Sequence, residues 1–469
     1  MKEYYLAIDI GASSGRHMLG SLEDGVMHLE EIYRFENGMD RTDKGLLWDT
    51  ERLFEEIVNG MKVCKQLNKI PVSMSIDTWA VDYVLLDKED KVLGETYGYR
   101  DHRTDGMDQL VNEIISEKEL YERTGIQKQI FNTIYQLMSV KKKNPEHLQQ
   151  AKRYLMLPDY FQFLLTGNAV SEYTNGSSTQ LVDPKTYQWD KGLMDKLGYP
   201  TDIFLPLQMP GTFVGKLKNE IKDEVGFDLE VVLCGSHDTA SAVMAMPVTD
   251  QDAIYISSGT WSLMGVESEK ALISETGRKA NLTNEGGYDH RFRCLKNIMG
   301  LWMIQSVRHE TGDAYSFAQL CELAEEALDF PSRVDVNDDV FLSPDNMTEA
   351  IKDYCKASGQ PVPQTIGEIS AVIYQSLAKA YGCAVRELEE IAGKQYEAIH
   401  IIGGGSNAVY LNQLTANATG KRIYAGPGEA TAIGNLMAQM IHRGALKNLK
   451  DARACVRRSF DIKTYDPAK

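Results

Sequence analysis

The sequence predicts an α/β protein of two large halves, and three observations carry that reading. Apolar runs of strand length alternate along the chain with segments of helical spacing. A strand–turn–strand plan with a glycine- and serine-rich turn occurs near the start and again past the middle. With 469 residues the chain is long enough for two or three domains with large cores. The best boundary is Met246-Pro247-Val248-Thr249-Asp250-Gln251-Asp252, a helix stop, a proline and a polar run, dividing the chain into 1–247 and 248–469.

Taken in order, Tyr4 to Gly11 reads as an apolar strand broken by Asp9, Ala12-Ser13-Ser14-Gly15-Arg16 as a turn, and His17 to Leu22 as a returning strand. Such a turn can aim several backbone N–H groups at one phosphate, and Asp9 could hold a metal ion; an ordinary hairpin with a polar turn would read the same. Asp49-Thr50 caps a helix with Leu53, Ile57 and Met61 on one face. Val72 to Ile76 is a strand running into Asp77-Thr78-Trp79-Ala80-Val81-Asp82. There, two carboxylates flanking a tryptophan suit either a sugar or a sheet end. Residues from about 105 to 226 read as mainly helix or loop, with Asn175 to Thr179 a loop. Val231 to Leu233 ends a buried strand, Gly235 permits a tight exit, and Ala240 to Met244 begin a helix. Ser236, His237, Asp238 and Thr239 therefore sit at the junction, either as a plain cap or as a catalytic group.

Beyond the boundary, Ala253 to Val266 repeats the hairpin plan around Gly259-Thr260. Leu295 to Trp302, containing Asn297, leads into a helix carrying Gln305. Residues 330–363, with four prolines, read as irregular surface. Ile369 to Ile391 is the clearest helix. Ala398 to Ile402 is a strand, Gly403 to Asn407 opens a helix, and Arg422 to Ala425 is a short strand. Glu429 to Ile441 reads as a helix interrupted by Gly434.

The net charge of −17 argues against a nucleic-acid surface. No run approaches a membrane span, and Asp9 breaks what could have been a signal core, so a cytoplasmic protein without a membrane partner is expected. Seven dispersed cysteines without a CxxC pair point to reduced thiols.

Among nucleotide-binding motifs, Gly215-Lys216, Gly393-Lys394 and Gly420-Lys421 all lack the Ser or Thr of a Walker A loop. Gly403-x-Gly405-x-x-Ala408 fits a loose dehydrogenase fingerprint, but the next strand ends in Ala425-Gly426-Pro427, without the acid that binds ribose. Asp9-x-Gly11 with its serine turn, Gly259-Thr260 and Gly403-Gly404-Gly405 resemble the phosphate and adenosine motifs of the FGGY carbohydrate kinases. The stretches Ser75 to Asp87, Gly235 to Val243, Ser257 to Gly265 and Lys296 to Trp302 sharpen the likeness, which runs from Ile8 to about Met440.

The resemblance implies two actin-like, ribonuclease-H-like domains around a central catalytic cleft, using ATP and Mg²⁺ on a small ketose. L-rhamnulose is the expected sugar and L-fuculose the alternative. It implies Asp238 as proton acceptor; Thr78, Trp79, Ala80, Asp82, His237, Thr239 and Asn297 about the sugar; and Ala12, Ser13, Ser14, Gly15, Arg16, Thr260, Gln305 and Gly403 about ATP. Asp9 would be the metal partner, and the assembly a monomer or homodimer. Two positions depart from the pattern: Ala80 stands where glycine is expected, and Ser406-Asn407 where Ser-Gln-Asn is expected. The helix start should hold the Asp238 pKa low, and closure about a hinge near Met246 to Asp252 is expected. The competing classes are a non-enzymatic actin-like ATP or sugar sensor and the dehydrogenase.

Overall fold

The computed structural model describes residues 2–248 and 253–468. The stretch Thr249 to Asp252, and with it most of the expected boundary and hinge, lies outside the described residues. The chain divides into two compact units, but not by one cut at 247. The first comprises Met1–Ala245, Ser268–Arg293 and Thr431–Ser459; the second comprises Met246–Glu267, Cys294–Ala430 and Phe460–Lys469. Thr431–Ser459 belongs to the first unit, and its helix Ala430–His442 sends polar side chains to that unit's sheet. Gln439 donates to Leu6 O at 2.9 Å and accepts from Ser73 Oγ at 2.8 Å, both inside the fold.

The first unit is built on a six-stranded sheet in the order Phe213–Lys216, Glu230–Val232, Pro71–Thr78, Tyr4–Ile10, Ser14–Glu23, Val26–Glu36. The middle three of these (Glu230–Val232, Pro71–Thr78 and Tyr4–Ile10) run parallel, and Tyr4–Ile10 forms an antiparallel hairpin with Ser14–Glu23. Buried on both faces, the parallel strands are almost continuously apolar. Leu6, Ile8, Ile10, Met74, Ile76 and Val231 are all 0% exposed. Helix Thr50–Gln66, capped by Asp49 accepting from Arg52 N–H, lays Leu53, Ile57 and Met61 on that core. Each fully buried aliphatic side chain of this kind stabilises by about 1.5–3 kcal/mol.

The second unit repeats the plan. Its sheet runs Phe292–Met299, Trp261–Ser268, Ile254–Ser258, Ala398–Ile402, Arg422–Ala425, Lys463–Tyr465, with the chain entering it from the first unit along Phe292–Met299. Ile254–Ser258 is antiparallel to Trp261–Ser268 and parallel to Ala398–Ile402, which in turn is parallel to Arg422–Ala425. Helix Ile366–Ala392 extends the read segment by a turn, because Thr365 and Glu368 form a reciprocal capping box.

Four sequence readings need correction. Asn175 to Thr179 is not a loop throughout: its first three residues end a wholly buried helix, Tyr173–Ser177, capped by Glu172. Residues 330–363 are only partly irregular, since Met347–Ala357 is a helix capped by Asn346 and burying Met347, Ile351 and Cys355. Residues 105–226 hold short strands as well as helices, among them Arg153–Met156 paired with Tyr83–Leu86. Helix Ala430–His442 runs unbroken through Gly434, where a Cβ would lie 1.8 Å from Ser241 O. That glycine serves close helix approach rather than interruption.

Candidate active site

In the first unit the carboxyl ends of three adjacent parallel strands gather most of the expected residues, the usual place for a ligand in an α/β sheet. Asp9 and Asp77 are register partners on neighbouring strands, and Thr78 bridges His237. Asp238 begins helix Asp238–Met244, with His237 as its N-cap residue. Its Oδ1 accepts from Thr239 N–H and from Thr239 Oγ1 at 3.0 Å, and lies 3.5 Å from His237 Nε2. The Asp238 side chain stays 34% exposed, so the carboxylate faces outward. Burial pushes its pKa up, with His237 pulling it down and Asp9 adding to the rise. The expectation of a lowered value is therefore overturned: desolvation and a neighbouring like charge outweigh the helix start.

The hairpin before it is held from both sides. Arg16, directly opposite Asp9, donates to Asp9 Oδ2 from Nε at 3.1 Å and from Nη2 at 2.9 Å. The turn is shorter than read, because Ser14 already starts the second strand and Gly11 N–H closes on Ser14 O at 2.9 Å. Asn37 clamps the tip, Nδ2 donating to Gly11 O and N–H to Ser13 O. Gly15 is required by packing, since a Cβ would fall 2.1 Å from the Phe35 ring. Ser13 is exposed at the tip, with Ala12 and Ser14 half-buried beside it.

Thr78 is fully buried and Trp79 nearly so, its ring 4.0 Å from that of Trp48. Asp82 is 1% exposed and takes four donors: Trp48 Nε1, Trp79 Nε1, Tyr99 N–H and Gln136 Nε2. Burial still pushes its carboxyl up to about 6. Asp82 N–H donates to Ala80 O across Val81, whose φ of 68° is rare for a β-branched residue. Ala80, at the start of that turn, is half-buried. Thr239 is 6% exposed.

Sequence reasoning missed the supports of this group. Glu172, 0% exposed, accepts five hydrogen bonds, from Thr174 N–H and Oγ1, Asn175 N–H, and Ser236 N–H and Oγ. Asn175 Nδ2 lies against Trp79 O and Ser236 O, tying both halves of the site together. Glu285 and Arg293 meet at His237: Nδ1 is 3.2 Å from Glu285 Oε2 and 3.1 Å from Arg293 Nη2. Burial works against the Glu285 charge, yet Arg293 and His237 hold its pKa down to about 2. These supports carried no readable signal, because the contacts that bring them to the site, Glu172 to Ser236, Asn175 to Trp79 and Glu285 to His237, join residues dozens of positions apart.

The oxygen donors at the strand ends fit a hard divalent cation. Asp77 Oδ1 is buried without a hydrogen-bond partner, while Oδ2 accepts from Asn435 Nδ2 at 2.6 Å. Burial, and next the Asp9 charge, push the Asp77 pKa well above the usual range, as expected of crowded carboxylates. Among the described residues no group of three His, Cys, Asp or Glu side chains could by itself hold a metal ion.

The second unit brings together the other expected residues. Gly259 and Thr260 form the exposed tip of its hairpin, and Gly259 O and Thr260 O accept from Leu301 and Trp302 N–H. Helix Trp302–Glu310 thus starts at that tip and carries a half-buried Gln305. Gly300 permits the approach, since a Cβ there would lie 2.5 Å from Trp261 C. Gly403, with φ 83°, abuts the hairpin's other strand, Ile254–Ser258: a Cβ would meet Ser258 O at 3.0 Å. Asn297 also belongs to this unit, half-buried on strand Phe292–Met299 with Oδ1 unpartnered. Among the described residues no helix is long and apolar enough to cross a membrane, and no disulfide joins any of the seven cysteines.

Residues 4–245 match the N-terminal domain of the FGGY family of carbohydrate kinases, and residues 254–442 its C-terminal domain. A protein of Halalkalibacterium halodurans named rhamnulokinase is 50% identical over 98% of both chains. One of Oceanobacillus iheyensis with the same name is 46% identical over 99% of this chain and 98% of its own. The crystal structure of gluconate kinase from Lactobacillus acidophilus superposes with a TM-score of 0.80 at 17% identity, over 100% of this chain and 94% of that one.

Proposed function

Because the chain belongs to the FGGY family of carbohydrate kinases, we propose that it transfers the γ-phosphoryl group of ATP to the 1-hydroxyl of L-rhamnulose, giving L-rhamnulose 1-phosphate and ADP in the cytoplasm. The observation that carries this reading is a carboxylate, Asp238, set outward at a buried strand–helix junction beside His237, within a chain aligned end to end with rhamnulokinases.

Asp238 accepts the proton of the 1-hydroxyl as the phosphoryl group leaves ADP. The loose transition state of phosphoryl transfer asks little of the base, so positioning and charge neutralisation carry most of the rate. Its raised pKa brings it nearer the working pH, where a general base is most useful. Ala80, Thr239, His237 and Asn297 border the sugar. Asp82 holds the Trp79 ring in place through its indole N–H. The Ala12–Ser14 tip and Arg16 orient phosphate oxygens, and Thr260, Gln305 and Gly403 hold the nucleotide. Magnesium bound through Asp9, with Asp77 beside it, would offset phosphate charge.

A coupled ADP-release assay across a panel of ketoses tests the reading. L-rhamnulose is expected to give the highest kcat/KM. A higher value for L-fuculose would move the assignment to that sugar, and turnover with no ketose would overturn it.

A further inference from the structure

A cavity of about 500 Å³ lies in the first unit beside strand Tyr83–Leu86, which follows directly on Asp82. That is the size of a small-molecule site. Val92, Leu93 and Tyr97 give it an apolar lining, and Tyr83 and Ser139, 6% and 2% exposed, bring hydroxyls to it. Among the described residues the buried Tyr83 hydroxyl has no hydrogen-bond partner, a costly state for a polar atom out of water. The cavity is also cationic. Its acids are already engaged: Glu95 pairs with Lys44, and the Asp101 carboxylate accepts from the N–H groups of Leu46 and Arg103. Arg103, 4.3 Å over the Tyr97 ring, and Lys143, 3.1 Å from Arg103 O, line the cavity with no carboxylate partner among the described residues. Two such cations together are notable in a chain of net charge −17. Lys143 and Asn144 are exposed, so the cavity is reached from solvent.

We propose that this cavity is a second ligand site, for a phosphorylated polyol: Arg103 and Lys143 take the phosphate, Tyr83 and Ser139 bond hydroxyls, and the apolar lining covers the carbon chain. A guanidinium and an ammonium suit a phosphate dianion, and a phenol hydroxyl both donates and accepts. Occupancy reaches the sugar site through two hydrogen bonds. Arg103 Nη2 donates to Gln136 Oε1, and Gln136 Nε2 donates to Asp82 Oδ1 at 3.0 Å. A phosphate competing for that guanidinium loosens Gln136 on Asp82, which accepts from the Trp79 indole at 2.9 Å. The KM for ketose should then rise, with kcat and the KM for ATP unchanged. The binding stands apart from the ketose-kinase reading; only this effect on KM rests on it.

Calorimetry with D-glucose 6-phosphate and with inorganic phosphate as probes reads the binding. The sugar phosphate is expected to bind the wild type more tightly than phosphate does. Lys143→Glu should weaken both about 10-fold by reversing one charge, and Tyr83→Phe should weaken only the sugar phosphate, by about 2–10-fold. Both side chains lie outside the residues assigned to ketose and ATP, so kinetics without the probe should stay at wild-type values. In the wild type, glucose 6-phosphate should raise the ketose KM several-fold, and in Lys143→Glu the same rise should need correspondingly more of it. No binding, equal affinity for the two probes, or weakening by neither substitution would overturn the inference. Inhibition that both variants retained in full would also overturn it, since that places the probe in the sugar site. An unchanged ketose KM at saturation would overturn the link through Gln136. A wild type that bound glucose 6-phosphate but phosphorylated no ketose would overturn the functional reading alone.

Discussion

Asp238 must remain ionised to accept a proton and yet sits where burial resists its charge. A raised carboxyl takes up its proton at higher pH than an ordinary aspartate, so the active base is lost as pH falls through that raised value. The acid limb of the kcat/KM profile is therefore expected above the ordinary aspartate value of about 3.9. A limb at or below it would assign the titration to another group. Asp238→Asn should keep both ligands bound and lower kcat by about 10²–10⁴, measured by single turnover beside ketose and ATP binding. If His237→Ala abolished turnover while Asp238→Asn did not, the base would be His237. At Asp9 the expected loss is of a different kind. Asp9→Ala frees Arg16 from its carboxylate partner and removes the proposed metal ligand, so the magnesium dependence of turnover should weaken far more than ketose affinity. A magnesium titration superimposable on the wild type would contradict that assignment.

Elements with a strong internal signal were legible in the sequence. The helix at Ile366–Ala392 and the strand at Arg422–Ala425 follow from periodicity and flanking breakers. Both hairpins follow from their turn residues, although the ladder from Ser14 onward extends further toward the tip than composition suggests. What composition concealed were elements whose environment decides them. Tyr173–Ser177 has the residues of a polar loop, and it is a buried helix because Glu172, Ser236 and Trp79 O satisfy its polar groups. Gly434 looks like a breaker and is instead the point where helix Ala430–His442 meets the backbone of Ser241. Gly434→Ala should accordingly destabilise the protein by about 1–3 kcal/mol, read from urea unfolding. It should also lower kcat, because Ser241 lies on the helix that begins with Asp238. Unchanged unfolding and kinetics would show that the contact relaxes freely.

At the scale of the whole molecule, the residues assigned to the sugar lie in the first unit except Asn297. Those assigned to ATP are divided, with Ala12, Ser13, Ser14, Gly15 and Arg16 in the first unit and Thr260, Gln305 and Gly403 in the second. In-line transfer needs reacting atoms about 3–3.5 Å apart with water kept out. Ketose binding is therefore expected to precede full commitment of ATP. Hydrolysis of ATP should be much slower without sugar than transfer with it, and the radius of gyration should fall when ketose and a non-hydrolysable ATP analogue are both present. An unchanged radius together with sugar-independent hydrolysis would rule this out.

The return of Thr431–Ser459 into the first unit also bears on how the chain is made. A ribosome releases the N-terminal segment first, yet the Leu6 carbonyl and the Ser73 hydroxyl wait for Gln439, and Asp77 for Asn435. At typical elongation rates the polypeptide between Ala245 and Ser459 takes about 10–40 s to appear. Throughout that interval the nascent first half carries an uncovered stretch of its central sheet, exposed to other nascent chains and to chaperones. Gene fragments cut at the apparent boundary inherit the same defect permanently. Completion of synthesis, rather than emergence of the first 245 residues, is the event that lets this unit close.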